Sequence, residues 1–430
     1  MHTRYPDRYP YFLESAAHGR FDILFALPGA SLVLTADGRL EAPFSGVGDD
    51  DFFAALDFWW RGESCDASTT GAVPFAGGWF VYLGYELAAQ VEPRLSLHRY
   101  AELPTAFATR VRAALVRDRV TEHTWLVAEG GASHLVARIE DDLADLADSS
   151  ANVCRTSMRI DEDPPERFIA AVHRAKAHIE AGDVYQINLS RAWTAYVDRI
   201  APAEVYRRLR AANPAPFAGI ARWHDTAIIS SSPERLLRVR NGIAESRPIA
   251  GTRPRSPQPQ ADRRLSEELL AHPKERAEHV MLIDLARNDL GRVCRPGSVQ
   301  VDEFMALESY PHVHHIVSNV RGLLEDNVAP GRVIRAMFPG GTITGCPKLR
   351  CMQIIDELED APRGAYTGSM GYLNHDGSCE FNILIRTLVQ QDGCVNLRTG
   401  AGIVADSVAE LELEECRAKA RGLLLALETT

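Results

Sequence analysis

The chain has 430 residues, 46% of them hydrophobic and 24% charged, and a formal net charge of −11. This is the make-up of a globular protein with ample core, and the acidic balance argues against non-specific binding to nucleic acid or to anionic lipid. No apolar run reaches the length of a membrane span, Met1 to Pro10 lacks the apolar core of a signal peptide, and the eight cysteines form no C-x-x-C pair, so a reduced cytoplasmic protein without zinc is expected.

Residues 1–150 carry short apolar runs broken by Gly and Asp, among them Phe21 to Phe25 and Gly78 to Tyr85, which read as strands and turns. Asp141 to Asp163, rich in Asp, Ala and Ser and followed by Pro164-Pro165, reads as a linker to a second region, 165–427. That region opens on a helix in which Phe168, Val172, Ala175 and Ile179 recur at helical spacing and Gly182 supplies the stop. Strands are expected at Val184 to Leu189, Ala227 to Ser230 and Leu236 to Val239. A turn rich in Gly and Pro follows from Arg247 to Arg255, leaving a strand. A second helix is expected from Pro273, a residue suited to a first helical turn; later, Val395 to Val404 reads as strand and Asp406 to Leu427 as an amphipathic helix. The elements mix without regular βαβ alternation. This predicts an α+β fold built on largely antiparallel sheets.

Several residues on these elements could carry chemistry. Glu275 and Glu278 share one helix face, as do Glu412 and Glu415, with Lys419 extending the second face. Spacing alone allows either a solvated surface or two carboxylates converging on a hard cation such as Mg²⁺. Phe338 to Lys348 is rich in Gly and Thr but lacks the spacing of a nucleotide loop; its amides, hydroxyls and lysine suit an anion. Gly400-Ala401-Gly402 ends a strand and could bind similarly or form an ordinary bulge. Arg386 interrupts the apolar run Ile383 to Leu388, which reads as a buried strand, and needs a partner, either an internal carboxylate or a ligand's. Glu234, after Ser230 to Pro233, is a general acid or a plain loop carboxylate. His314 and His315 are adjacent on an expected strand, so at most one enters a given site.

Taken in order, these segments resemble component I of the chorismate-aminating synthases, aminodeoxychorismate synthase and anthranilate synthase. The motifs are Gly182 to Ser190, Ser232-Pro233-Glu234-Arg235, Pro248 to Arg255, Ala277 to Arg292, Phe338 to Lys348, Gly371-Tyr372-Leu373, Ile385-Arg386-Thr387, and Gly400 to Val404 with Glu412, Glu415 and Lys419. The resemblance covers about residues 165 to 427 and extends loosely to Tyr11–Ala26 and Gly77–Glu86. It implies a large α/β sandwich that binds chorismate and Mg²⁺ in a deep cleft. Glu278 and Glu415 would ligate Mg²⁺, supported by Glu275 and Glu412. Thr344 and Gly345 would hold the ring carboxylate. Tyr372, Arg386 and the amides of Gly400, Ala401 and Gly402 would take the enolpyruvyl carboxylate, with Lys419 near the dianion. Glu234 would protonate the departing C4 hydroxyl, assisted by His315.

Within the family, Arg20 to Ile23, Val313 to Ser318 and Gly364 to Ser369 look like aminodeoxychorismate synthase, which aminates C4 for 4-aminobenzoate and folate. Ala250 points the other way. Well-studied aminodeoxychorismate synthases carry a lysine there, proposed to add to ring C2, and alanine is the anthranilate-synthase residue. The expectation is C4 amination by a modified route, with anthranilate synthase as the alternative. No glutaminase signature is present, so ammonia would come from a separate glutamine amidotransferase subunit. Glu14, Ser15, Asn213, Pro214 and Phe217 resemble the family's tryptophan pocket, or else pack the two halves together. A scaffold that had lost catalysis would be expected to lack acid or metal residues, yet Glu234, Glu278, Arg386, Glu415 and Lys419 are all present.

Overall fold

The computed structural model describes residues 1–17, 19–46, 50–63, 73–148, 158–197, 200–310 and 313–428; the centre of the expected linker, 149–157, lies outside them. Two antiparallel sheets of eleven strands each lie face to face. The helices Pro165–Glu180, Lys348–Glu359 and Ala409–Leu424 cover the outside of one sheet, and Phe52–Glu63, Pro273–Gly291 and Pro330–Met337 the outside of the other. This is the α/β sandwich of helix-flanked antiparallel sheets that the sequence led us to expect.

The chain's two regions are woven together. Tyr11–Glu14 pairs with Phe217–Trp223, and Gly78–Leu83 pairs with Ser369–Asn374, so each sheet contains strands from both. Gly78–Leu83 is buried at every position because helices cover one face and the second sheet covers the other. Between the sheets lies an aromatic layer in which Tyr11 stacks on Phe80 at 4.1 Å between centroids. The helix Pro165–Glu180 buries Phe168, Val172 and Ala175, and Gly182 follows it with a φ of +79°. Pro273 opens the helix Pro273–Gly291, as its fixed φ favours.

Two segments differ from expectation. Residues 249–254 form a strand, not a turn, paired with Val313–Leu323 and broken by a bulge at Gly251, where φ is +63°. Arg386 is not in a strand. It lies in the crossover 383–386, which carries the chain from Cys379–Asn382 in one sheet to Thr387–Gln391 in the other, and its own φ is +52°. That conformation is uncommon for a non-glycine residue.

Candidate active site

Glu234 sits between the strands Thr226–Ser232 and Arg235–Arg240. Its backbone is held on both sides: the Ser232 hydroxyl accepts from its N–H at 3.3 Å, and its carbonyl accepts from Ile383 N–H at 3.0 Å. The side chain faces a cavity of about 20 Å³ walled by Ser246, Pro248, Leu282, Ala286 and Thr342. Burial pushes its carboxyl up to about 7, opposed only in part by the Thr342 hydroxyl and the Ile249 backbone. Such a carboxyl keeps its proton close to neutral pH.

His315 and His314 point to opposite faces of the strand Val313–Leu323, as alternation requires. His314 is tied to Asp262 at 3.0 Å and Ser309 at 2.8 Å. His315 Nδ1 lies 3.1 Å from Gly251 O, a pure acceptor, so that nitrogen carries the proton. Nε2 is then a lone-pair acceptor, buried without a partner among the described residues. Burial, with the positive charge of Arg386, lowers the ring to about 4, so His315 is neutral. Arg386 is the other open group. Burial lowers its pKa, and among the described residues nothing forms a hydrogen bond or ion pair with its guanidinium.

The strand Cys394–Ile403 pairs with Gln186–Val197 along its length, but its second neighbour, Thr387–Gln391, ends opposite Leu397. Residues 398–403 therefore have one free edge. Asn188 N–H donates to Thr344 O, away from this strand, so the ladder's alternation turns the amides of Gly400 and Gly402 to the free edge. Ala401 instead buries its methyl group in the core. A Cβ at Gly400 would stand 2.5 Å from Leu189 O and 2.7 Å from the Tyr366 hydroxyl. Lys419 Nζ donates to Gly400 O at 2.8 Å and pairs with Glu415 at 2.7 Å. Thr344 Oγ1 donates to Gly340 O at 2.9 Å, and Gly345, at a φ of +129°, passes so close to Gln186 O that a Cβ would clash.

Glu278 faces this edge from the helix Pro273–Gly291, and Gln186 Nε2 donates to its Oε1 at 2.7 Å. Burial raises the Glu278 carboxyl, and Glu275 and Glu415 add to the rise. Burial raises Glu412 too, with Glu415 again contributing. Glu275 also meets Arg253 at 3.2 Å. Among the described residues no three His, Cys, Asp or Glu gather closely enough to hold a metal unaided. Mg²⁺ needs only one or two protein carboxylates, and a set of mutually repelling anions with oxygen donors suits it. The residues present fit that cation.

Other expected members fall elsewhere. Tyr372 turns into the space between the sheets, 6.0 Å from the Phe75 ring, and lines a separate cavity of about 330 Å³. The tyrosine beside Gly400 is Tyr366, which sequence reasoning missed. Lys348 is not free for an anion, because its Nζ is bound to Asp289 at 2.6 Å and to Pro339 O at 2.8 Å. Ala250 is buried opposite Ile316. Glu14, Ser15 and Phe217 line the 330 Å³ cavity, whereas Asn213 and Pro214 lie outside its lining. Glu14 is already bound by Arg119, by Arg210 at 2.8 Å and by Tyr206 at 2.7 Å.

The family model described as chorismate binding enzyme matches residues 9–425, and the chain belongs to that family. It is 38% identical to aminodeoxychorismate synthase component 1 of Bacillus subtilis (strain 168), across 97% of this chain and 91% of that one. It is 41% identical to an anthranilate synthase component I-like protein of Synechocystis sp., across 83% and 74% of the two. Anthranilate synthase component I of Streptococcus pneumoniae superposes with a TM-score of 0.85 at 30% identity, covering 94% of this chain and 92% of that one. The isochorismate synthase MenF of Escherichia coli, at 18% identity and a TM-score of 0.75 over 97% and 88%, shares the fold.

Proposed function

We propose that this chain is component I of an aminodeoxychorismate synthase, which replaces the C4 hydroxyl of chorismate with an amino group. Mg²⁺ is the cofactor, and ammonia comes from a separate glutamine amidotransferase subunit. The observation that carries an amination is Glu234. Hydroxide is a poor leaving group, and a buried carboxyl with a pKa of about 7 is a ready acid for it.

Arg386 and the amides of Gly400 and Gly402 take the enolpyruvyl carboxylate, with Tyr366 in the place first expected for Tyr372. Thr344 and Gly345 hold the ring carboxylate. Glu278 and Glu415 hold Mg²⁺, with Glu275 and Glu412 beside them; when bound, the cation neutralises the ring carboxylate. Glu234 gives its proton to the C4 oxygen while the lone pair of Nε2 on His315 orients that hydroxyl. The C–O bond breaks, water leaves, and the ammonia lone pair forms the C–N bond. The surplus ammonium proton returns to Glu234, so atoms and charge balance.

The segments Arg20–Ile23, Val313–Ser318 and Gly364–Ser369, with the full-length match to the Bacillus relative, support C4. Ala250 supports the second reading, amination at C2 with loss of pyruvate to give anthranilate. The chain, chorismate, Mg²⁺ and ammonium, incubated with and without aminodeoxychorismate lyase and resolved by mass spectrometry, separate the two. 4-Aminobenzoate appearing only with the lyase is expected; anthranilate without it would overturn C4 amination. We also read the 330 Å³ cavity between the sheets as a tryptophan pocket, bounded by Ser15 and Phe217. Calorimetric titration with tryptophan tests this, and no heat of binding would remove it.

A further inference from the structure

Gln186 has no part in the roles above, yet it touches the candidate cation site directly. It opens the strand Gln186–Val197 and is only 3% exposed. Its Nε2 donates to Glu278 Oε1 at 2.7 Å, while its own Oε1 is buried without a partner among the described residues. Gly402 lies directly beneath. A Cβ there would stand 2.3 Å from Gln186 Nε2 and 3.4 Å from Glu278 Oε1, so a side chain at this position would push the Gln186 amide aside.

We propose that Gln186 is a positioning residue for the cation: it pins one oxygen of Glu278 so that the other faces the metal, and Gly402 supplies the room. The inference rests on the reading of Glu278 as a Mg²⁺ carboxylate. A buried acceptor without a donor is unfavourable, and a methionine of similar shape would avoid it. What the amide adds is a neutral donor. Hydrogen-bonded partners of metal ligands orient them in this way, and their loss typically weakens metal binding about 10–100-fold.

The test measures Mn²⁺ affinity by electron paramagnetic resonance in the presence of chorismate, for the native chain, Gln186→Met and Gly402→Ala, each with its thermal midpoint. Gln186→Met is expected to bind Mn²⁺ at least about tenfold more weakly at an unchanged midpoint. Gly402→Ala should weaken binding in the same direction by displacing the pair. Native affinity in a folded Gln186→Met would overturn the positioning role. If that variant does not fold, Gly402→Ala decides, and native affinity there overturns the role as well. No Mn²⁺ binding by the native chain would overturn the cation reading itself, a result distinct from both.

Discussion

Two arginines on either side of the strand Gln186–Val197 show how this molecule separates structure from chemistry. Arg363 is 3% exposed and closed: it donates to Glu359 at 2.6 and 3.0 Å, to Ile343 O at 3.0 Å and to Asn188 O at 2.7 Å. Glu359 in turn accepts from Arg398 at 2.9 Å and from Ser190 N–H at 2.7 Å. Burial alone would raise the Glu359 carboxyl, but Arg363 and Arg398 hold it below its usual range. Arg386 has no such company, and neither does Nε2 of His315, while the Glu234 carboxyl meets no cation, only the Thr342 hydroxyl and the Ile249 backbone. We read the matched buried charge as structural and the open groups as held for a ligand.

The largest effect should come from an open group. Glu234→Gln is expected to lower kcat by about 10²–10⁴-fold, the usual worth of a positioned acid. It should also stabilise the protein. Below the carboxyl's ordinary value of 4.5 it is protonated in both folded and unfolded states and contributes nothing. As pH rises towards 7, the unfolded chain ionises and the folded one resists. The native residue therefore costs stability, on the order of 3 kcal/mol above pH 7. Urea unfolding of both chains at pH 5 and pH 8 checks this: the variant's advantage should grow with pH. An equal or lower stability at pH 8 would place Glu234 in the matched class. The native rate should also fall as pH rises through about 7, where the acid loses its proton.

Arg363→Met tests the matched side. Removing one partner from a buried ion pair typically destabilises by about 3–5 kcal/mol, because the other charge is left uncompensated. Urea unfolding should show that loss, with Glu359 stranded. Arg386→Met is the counterpart. No protein partner is stranded by it, so the urea midpoint should hold or rise, while chorismate binding, followed by fluorescence quenching, weakens by about 1.5–3 kcal/mol. A large loss of stability in Arg386→Met would break the distinction.

Much of the candidate site was legible in the sequence because its residues disturb local patterns. Glu234 follows a polar run at the start of an apolar strand, and Arg386 stands inside an apolar stretch; both signals are local. The crossover at Arg386 was not legible, because an apolar run buried within a sandwich looks alike whether it continues a strand or changes sheets. The placement of Tyr372 was hidden for a related reason. Tyr366 lies six residues away, and only the pairing of Ser369–Asn374 with Gly78–Leu83 turns Tyr372 between the sheets. Gln186 did leave a signal, a polar side chain amid the apolar run Val184 to Leu189. Its partner, Glu278, is 92 positions away and could not be read from spacing. The sheet order was hidden likewise, since strands such as Tyr11–Glu14 and Phe217–Trp223 meet across two hundred residues.

Lys419 should give the smallest effect and the finest cut between the two classes. It is paired, like Arg363, but its partners are Glu415 and the carbonyl of Gly400, both at the candidate ligand edge, and its side chain is 41% exposed. An exposed ion pair contributes little, so Lys419→Met is expected to change the urea midpoint by less than about 1 kcal/mol. Its charge still sits where a dianion is proposed to bind. The chorismate KM should therefore rise several-fold at low salt, and the gap between native and variant should narrow as ionic strength screens the charge. KM measured across a salt series, alongside urea unfolding, reads both quantities. A stability loss beyond that bound, with KM unmoved, would make Lys419 a fastener of the helix Ala409–Leu424 to the strand Cys394–Ile403. A salt-sensitive KM with the midpoint unmoved would show that a group can be paired in the free protein and still be held for the ligand, because its partners lie at the candidate ligand edge.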